Sequence, residues 1–255
     1  MQYPLTPKPV RRSGALPIVI TVLGAIAILL IVALISAGSP VTFIVGAIPS
    51  TAALIVSLLC YRWLDRWEPE PTRLTVMALI WGGSAGVIFS FLVEMAIPAS
   101  EFVTMAIVAP LAEELAKASV FILVATGARK LELTSLTDHI FYAGICALGF
   151  AFVENLGYFA LSSSAGEFVV MTLVRTGFGV FGHPLYTTAT AVGIWAWRTK
   201  GGLWKAAVGY IAACLLHGLW NGGPTLLAGS LGLDDTGQLA ALILVYIVLF
   251  VPVFI

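Results

Sequence analysis

Leu16–Ile35 reads LPIVITVLGAIAILLIVALI, twenty residues without a charge. At about 1.5 Å per residue a helix of that length spans about 30 Å, the thickness of a bilayer's hydrocarbon layer. Lys8, Arg11 and Arg12 precede the run and Ser36-Ala37-Gly38-Ser39-Pro40 follows it, an order shared with secretory signal peptides. Signal-peptide apolar cores run only about 7–15 residues. The segment therefore reads as a retained first transmembrane helix.

Similar runs recur along the chain, broken at proline, glycine or clusters of charge. They predict helices near 16–36, 41–61, 73–96, 102–127, 139–161, 169–197, 204–228 and 238–255. The expected fold is all-α: a polytopic membrane bundle of about eight transmembrane helices. One domain over residues 1–255 is expected, with a short cytoplasmic tail at 1–15.

Composition agrees. Hydrophobic residues make up 60% of the chain and charged residues 10%, with a mean hydropathy of +1.02. A soluble domain carries about 25% charge. A formal net charge of zero leaves no basic patch for nucleic acid. Cys60, Cys146 and Cys214 are odd in number and lie in apolar runs, so they form neither a disulfide framework nor a zinc knuckle.

Basic residues test the helix count. Alternate connections carry Lys8/Arg11/Arg12, Arg62/Arg66/Arg73, Arg129/Lys130 and Arg198/Lys200/Lys205, eleven of the 13 in the chain. The intervening loops carry none. Lys and Arg favour the cytoplasmic side, so both termini are expected there.

Lys117 and Arg175 lie inside helices, in company that is costly in lipid. Helix 4 holds Glu113, Glu114 and Lys117; helix 5 holds Glu154 and Asn155; helix 6 holds Arg175 and His183; helix 7 holds His217 and Asn221. Counted from the helix ends, Glu113, Glu114, His183 and His217 fall near mid-bilayer depth, with Glu154 and Asn221 about 4–6 Å toward the outer face. Polar groups from four helices at one depth indicate an internal site. The i,i+4 spacing pairs Glu113 with Lys117 and leaves Glu114 about 100° away for another task. Arg175 and Glu94 read as rim residues that snorkel, and Asp138 reads as a helix N-cap. Gly177-x-Gly179-x-x-Gly182 lies in an apolar helix, not after a strand, so it reads as a close-contact surface beside His183 and not as a dinucleotide fingerprint.

Glutamates and histidines around one water suit hydrolysis. A carboxylate in an apolar setting makes a general base at neutral pH, and Glu114 is the candidate. Two versions stay open. In one, Glu114, His183 and His217 hold a zinc ion with a position left for water. In the other there is no metal, and His183, His217 and Asn221 orient the water and bond the oxyanion.

Four motifs in order resemble one known family. Glu113-Glu114-x-x-Lys117, Gly149-Phe-x-x-x-Glu154-Asn155-x-x-Tyr158, Arg175 followed by His183, and His217-x-x-x-Asn221 are similar to the PrsW family of bacterial intramembrane proteases. Asp138, Tyr142 and Gly144 also resemble its pattern, and the layout is similar to that of the CAAX prenyl endopeptidases. The resemblance implies a multi-pass protease of the bacterial cytoplasmic membrane that cleaves a single-pass membrane protein such as an anti-sigma factor. It places the family's functional acids on Glu113, Glu114 and Glu154 and its histidines on His183 and His217. Family members are usually labelled metalloproteases, whereas the CAAX relatives are argued to work without metal. Pro184, directly after His183, departs from the small helix former expected there.

Two other classes compete with a protease. A non-catalytic membrane scaffold or chaperone subunit would need these polar residues only for packing. A proton-coupled transporter would show an internal repeat, and the sequence contains none.

Overall fold

The computed structural model describes residues 15–125 and 133–254. Lys8, Arg11, Arg12, Arg129 and Lys130, used above to count spans, lie outside the described residues. Among the described residues there are helices and connecting turns and no strand.

The order is α1 (Leu16–Gly38), α2 (Pro40–Leu64), α3 (Thr72–Trp81), α4 (Val87–Ala96), α5 (Glu101–Val103), α6 (Ala109–Ala118), α7 (Val120–Ala125), α8 (Leu136–Leu161), α9 (Ala165–Thr172), α10 (Gly182–Lys200), α11 (Trp204–Leu231) and α12 (Asp235–Phe254). Wide π-helical turns at Gly82–Gly86 and Thr104–Val108 join α3 to α4 and α5 to α6, and one at Leu173–Phe178 extends α9. Such turns insert where a helix must re-aim a side chain and often mark functional sites. Local chemistry sets the ends. Pro17, Pro40 and Pro110 stand at helix starts, where a missing N–H costs nothing. Gly232 closes α11 at φ 63°, a backbone conformation that favours glycine.

Five helical stretches are long and apolar enough to cross a membrane: Leu16–Gly38, Pro40–Leu64, Thr72–Ala96, Leu136–Leu161 and Ala165–Lys200. A helix or helix group also stands in each of the other three expected segments. The stretch 101–125 carries four charges and is interrupted at Ser119 between α6 and α7. The chain is a membrane protein. Its outer helices present Leu29, Leu34, Ile48 and Leu59 in exposed positions, faces that hydrocarbon can cover and water cannot.

The bundle is built around α8. Of its most apolar window 72% is buried, against 17% for α2 and none for α1. It packs against α10, α2 and α3. Contact with α3 is backbone to backbone: a Cβ on Gly149 would strike the Leu79 carbonyl, and one on Gly82 the Cys146 carbonyl. Only glycine permits this approach. At its start α8 carries a capping box in which Ser135 is the cap and Asp138 stands three residues inside. That corrects the reading of Asp138 as the cap: its carboxylate accepts from the N–H groups of Thr134 and Ser135, and the Ser135 hydroxyl is what caps the Asp138 N–H.

The glycines near His183 correct a second expectation. Helix 6 is expected near 169–197, with Gly177, Gly179 and Gly182 allowing close helix contact. A Cβ on Gly177 would meet nothing, whereas one on Gly179 would lie 3.3 Å from the Trp220 ring of α11, and the helix breaks after Phe178. His183 and Pro184 therefore fall in the first turn of α10, where proline is tolerated because that N–H has no partner to lose.

Candidate active site

Four helices carry the polar cluster: α6 supplies Glu113, Glu114 and Lys117, α8 Glu154, α10 His183 and Thr187, and α11 His217. Except for Glu154 these residues are buried. Proline helps to assemble them. Without an N–H, Pro110 cannot bond back to Ala106, and the Thr104–Val108 π-turn leaves carbonyls to be met from outside. From α11, Asn221 Nδ2 donates to Met105 O at 3.1 Å. Gly218 packs directly on the Ala106 carbonyl, where a side chain would collide. These contacts bring His217 against α6.

Lys117 is the hub. Its Nζ lies 3.2 Å from Glu113 Oε2, 2.8 Å from Glu114 Oε1 and 2.8 Å from His183 Nδ1. An ammonium has three donors and no acceptor, so all three are used and His183 Nδ1 must accept. The His183 proton then sits on Nε2, which donates to Glu154 Oε2 at 2.9 Å. The Lys117 Nζ also lies 4.4 Å from the centre of the Phe150 ring, a favourable cation–π contact.

The second histidine is fixed in the same manner. His217 Nδ1 lies 3.0 Å from Glu114 Oε1. An ionised carboxylate only accepts, so the proton is on Nδ1 and the Nε2 lone pair points elsewhere. It faces Glu113 Oε2 at 3.8 Å, while His183 Nδ1 lies 3.7 Å from the same oxygen. Tyr186 stacks on His217 with centroids 4.9 Å apart, and the two imidazoles meet edge to face at 5.0 Å.

Glu113, His183 and His217 thus offer three ligand atoms within 4.8 Å of one another. One carboxylate and two imidazoles is a catalytic zinc donor set, and tetrahedral bonds of about 2.0–2.1 Å place such donors about 3.3 Å apart. The two spacings to Glu113 Oε2, 3.7 and 3.8 Å, are within about half an ångström of that. Each histidine is backed by a carboxylate, Glu114 for His217 and Glu154 for His183, the arrangement that holds metal-ligating imidazoles in the correct tautomer. Lys117 leans on two of the three donors and keeps Glu114 as a partner when it moves off them. The residues fit a metal ion.

The expected ligand set differs by one residue. It contained Glu114, read as lying about 100° from Lys117; the structure gathers Glu113 instead. Glu114 is fully enclosed, with Oε1 taken by Lys117 and His217 and Oε2 accepting from Thr187 Oγ1 at 2.8 Å. Long side chains let both glutamates converge on one ammonium although their Cβ atoms diverge. Asn221 is also placed differently: its amide is spent on Met105 O, away from the trio.

Arg175 was read as a rim residue and belongs to the cluster. It donates to Glu154, donates through Nε to Asn155 Oδ1 at 2.7 Å, and lies 3.9 Å over the Tyr158 ring. The motif that joins Glu154, Asn155 and Tyr158 was the available signal, since three residues that can hold a guanidinium stand on one helix face. Thr187 gave no signal, because a lone threonine in an apolar helix has no distinguishing pattern.

Asp138, Tyr142 and Gly144 stand about 15–24 Å from Glu154 along α8. Tyr142 Oη donates to Glu70 Oε2 at 2.7 Å, and Gly144 makes room for the Tyr61 ring. His139 is held by Ser135 O and Arg198 and stacks on Phe121. These residues tie the far end of the bundle together.

A family model described as PrsW family intramembrane metalloprotease matches residues 70–255. The chain belongs to the PrsW family. Every residue of the cluster falls within the matched span, and α1 and α2 precede it. No curated protein and no solved structure matches the chain. As a PrsW family member it is an intramembrane endopeptidase, and the family's metalloprotease character agrees with the Glu113, His183 and His217 group.

Proposed function

We propose that residues 1–255 form one domain that crosses the bacterial cytoplasmic membrane eight times, with both termini in the cytoplasm. The enzyme hydrolyses a single-pass membrane protein such as an anti-sigma factor and has no nucleic-acid partner. Alternation of loops with and without basic residues supports this topology. The observation that carries the function is the convergence of Glu113, His183 and His217, each histidine held by its own carboxylate.

In this reading those three residues hold zinc, which when bound makes a water acidic enough to ionise near neutral pH and polarises the scissile carbonyl. Glu113 would take a proton from the water and pass it to the departing amine nitrogen. Glu114 and Glu154 fix the tautomer and orientation of the imidazoles. Lys117 limits repulsion between the two adjacent carboxylates. Asn221 acts by fixing α11 on the π-turn.

The test is cleavage of a single-span substrate in proteoliposomes. Glu113→Gln is expected to lower turnover by about 10²–10⁴-fold with the helical fold retained. A strong chelator is expected to stop the wild type and added zinc to restore it. Full activity in Glu113→Gln would remove the proposed site; activity untouched by chelation would remove zinc from it.

A further inference from the structure

Beside His183, on the side facing α2, lies a cavity of about 30 Å³ bordered by Ser50, Ser57, Asn155, Arg175, His183 and Trp220. Ser50 and Ser57 are almost completely buried, at 1% and 0% exposure. Neither hydroxyl has a hydrogen-bond partner among the described residues. They stand seven residues apart on α2, two helical turns, so they share a face about 10 Å long.

A serine hydroxyl that is buried and unpaired is costly, and in a membrane helix it could bond its own backbone instead. Ser84 and Ser90 do so, donating to Ile80 O and Gly86 O. Ser50 and Ser57 instead border a space. Its size decides what can enter. A water needs about 10–15 Å³ and two to four polar neighbours. This cavity has room for about two waters. Its polar wall comes from α2, α8, the Leu173–Phe178 turn and α10.

We propose that this cavity is a water-binding site that retains the water consumed in hydrolysis, with Ser50 and Ser57 as its positioning residues. The inference rests on the hydrolytic reading above. Each turnover uses one water: its oxygen bonds to the scissile carbonyl carbon, the C–N bond breaks, and its two hydrogens end on the new acid and amine. Hydrocarbon supplies no water, so a local store beside His183 shortens the wait for the next molecule. Both serines lie outside the span that the family model matches.

X-ray hydroxyl-radical footprinting on the full-length protein in vesicles tests this, because bound water labels the side chains next to it. Trp220 and Phe152, both on the cavity wall, are expected to be labelled in the wild type. Labelling is expected to persist in inactive Glu113→Gln and to be lost in Ser50→Ala/Ser57→Ala. The serine variant is also expected to lose about tenfold in kcat, the worth of one hydrogen bond, with KM unchanged. Ala53→Leu, which fills the same cavity without touching a hydroxyl, is expected to give the same two losses and serves should the double variant fold poorly. A dry cavity would give the reverse: no labelling in the wild type, and a higher Tm with unaltered kcat once the unpaired hydroxyls are removed. Because the footprint needs no turnover, failure of the protease reading alone would leave it in place.

Discussion

The two histidines of the site sit in unlike surroundings. His217 rises from the unbroken interior of α11, and its carboxylate, Glu114, is wholly buried and bonded at both oxygens. His183 occupies the first turn of α10, just past a break, and its carboxylate, Glu154, has a side chain 18% exposed that is shared with Arg175. The first side is closed and the second opens toward the cavity with Ser50 and Ser57. The difference assigns them separate tasks. The closed side holds geometry, since each of its bonds is made inside the protein; the other side borders the cavity and is partly exposed.

The harshest way to break the comparison is to remove the charge common to both sides. Lys117→Met leaves Glu113 and Glu114 buried without their cation, and losing one member of such a pair typically costs about 3–5 kcal/mol. Thermal unfolding should show it. Added zinc should then raise Tm by more in the variant than in the wild type, because the ammonium no longer covers two of the three donors. An equal rise in both proteins would mean that lysine and metal do not share these donors.

A sharper test separates the carboxylates. Glu114→Gln and Glu154→Gln each weaken a support behind a histidine and should lower kcat by about 10–100-fold with little change in KM. They should differ in stability. Glu114→Gln should cost about 1–3 kcal/mol, since its partners have no water to turn to. Glu154→Gln should cost less, because Glu154 and Arg175 are both partly exposed. Equal losses would erase the distinction between closed and open sides.

Gly218→Ala probes the closed side through the backbone. The added methyl meets the Ala106 carbonyl and pushes α11 outward, at about 1–3 kcal/mol. Turnover should fall because His217 moves while His183 does not. At the small end, Leu34→Ala on lipid-facing α1 should change stability by no more than about 0.5 kcal/mol. A large loss there would mean that α1 packs against protein at this position.

Much of the site was legible as residue types at a common depth. Glu113, Glu114, Lys117, Glu154, His183 and His217 stand out because each is expensive in lipid and four helices carry them together. What the sequence concealed was rotation. Spacing along one helix tells which residues share its face, and it separated Glu113 from Glu114 by 100°. It does not tell how that face is turned toward α10 and α11. Both glutamates reach Lys117, and Glu114 rather than Glu113 lies behind His217. Arg175 was misplaced for a related reason: its position along helix 6 gives a depth near the outer surface but does not tell that its side chain is turned toward Glu154 and Asn155.

The sequence by itself determined that this is a helical membrane protein, because a run of about 20 apolar residues at 1.5 Å each matches a bilayer and has no comparable use in water. It also determined which ionisable side chains must find partners inside. Only the tertiary structure decided which partner each one has. That depends on helix rotation and on backbone contacts at Gly82, Gly149 and Gly218, where the absent Cβ lets neighbouring helices approach closely enough for one carboxylate oxygen to face two imidazoles.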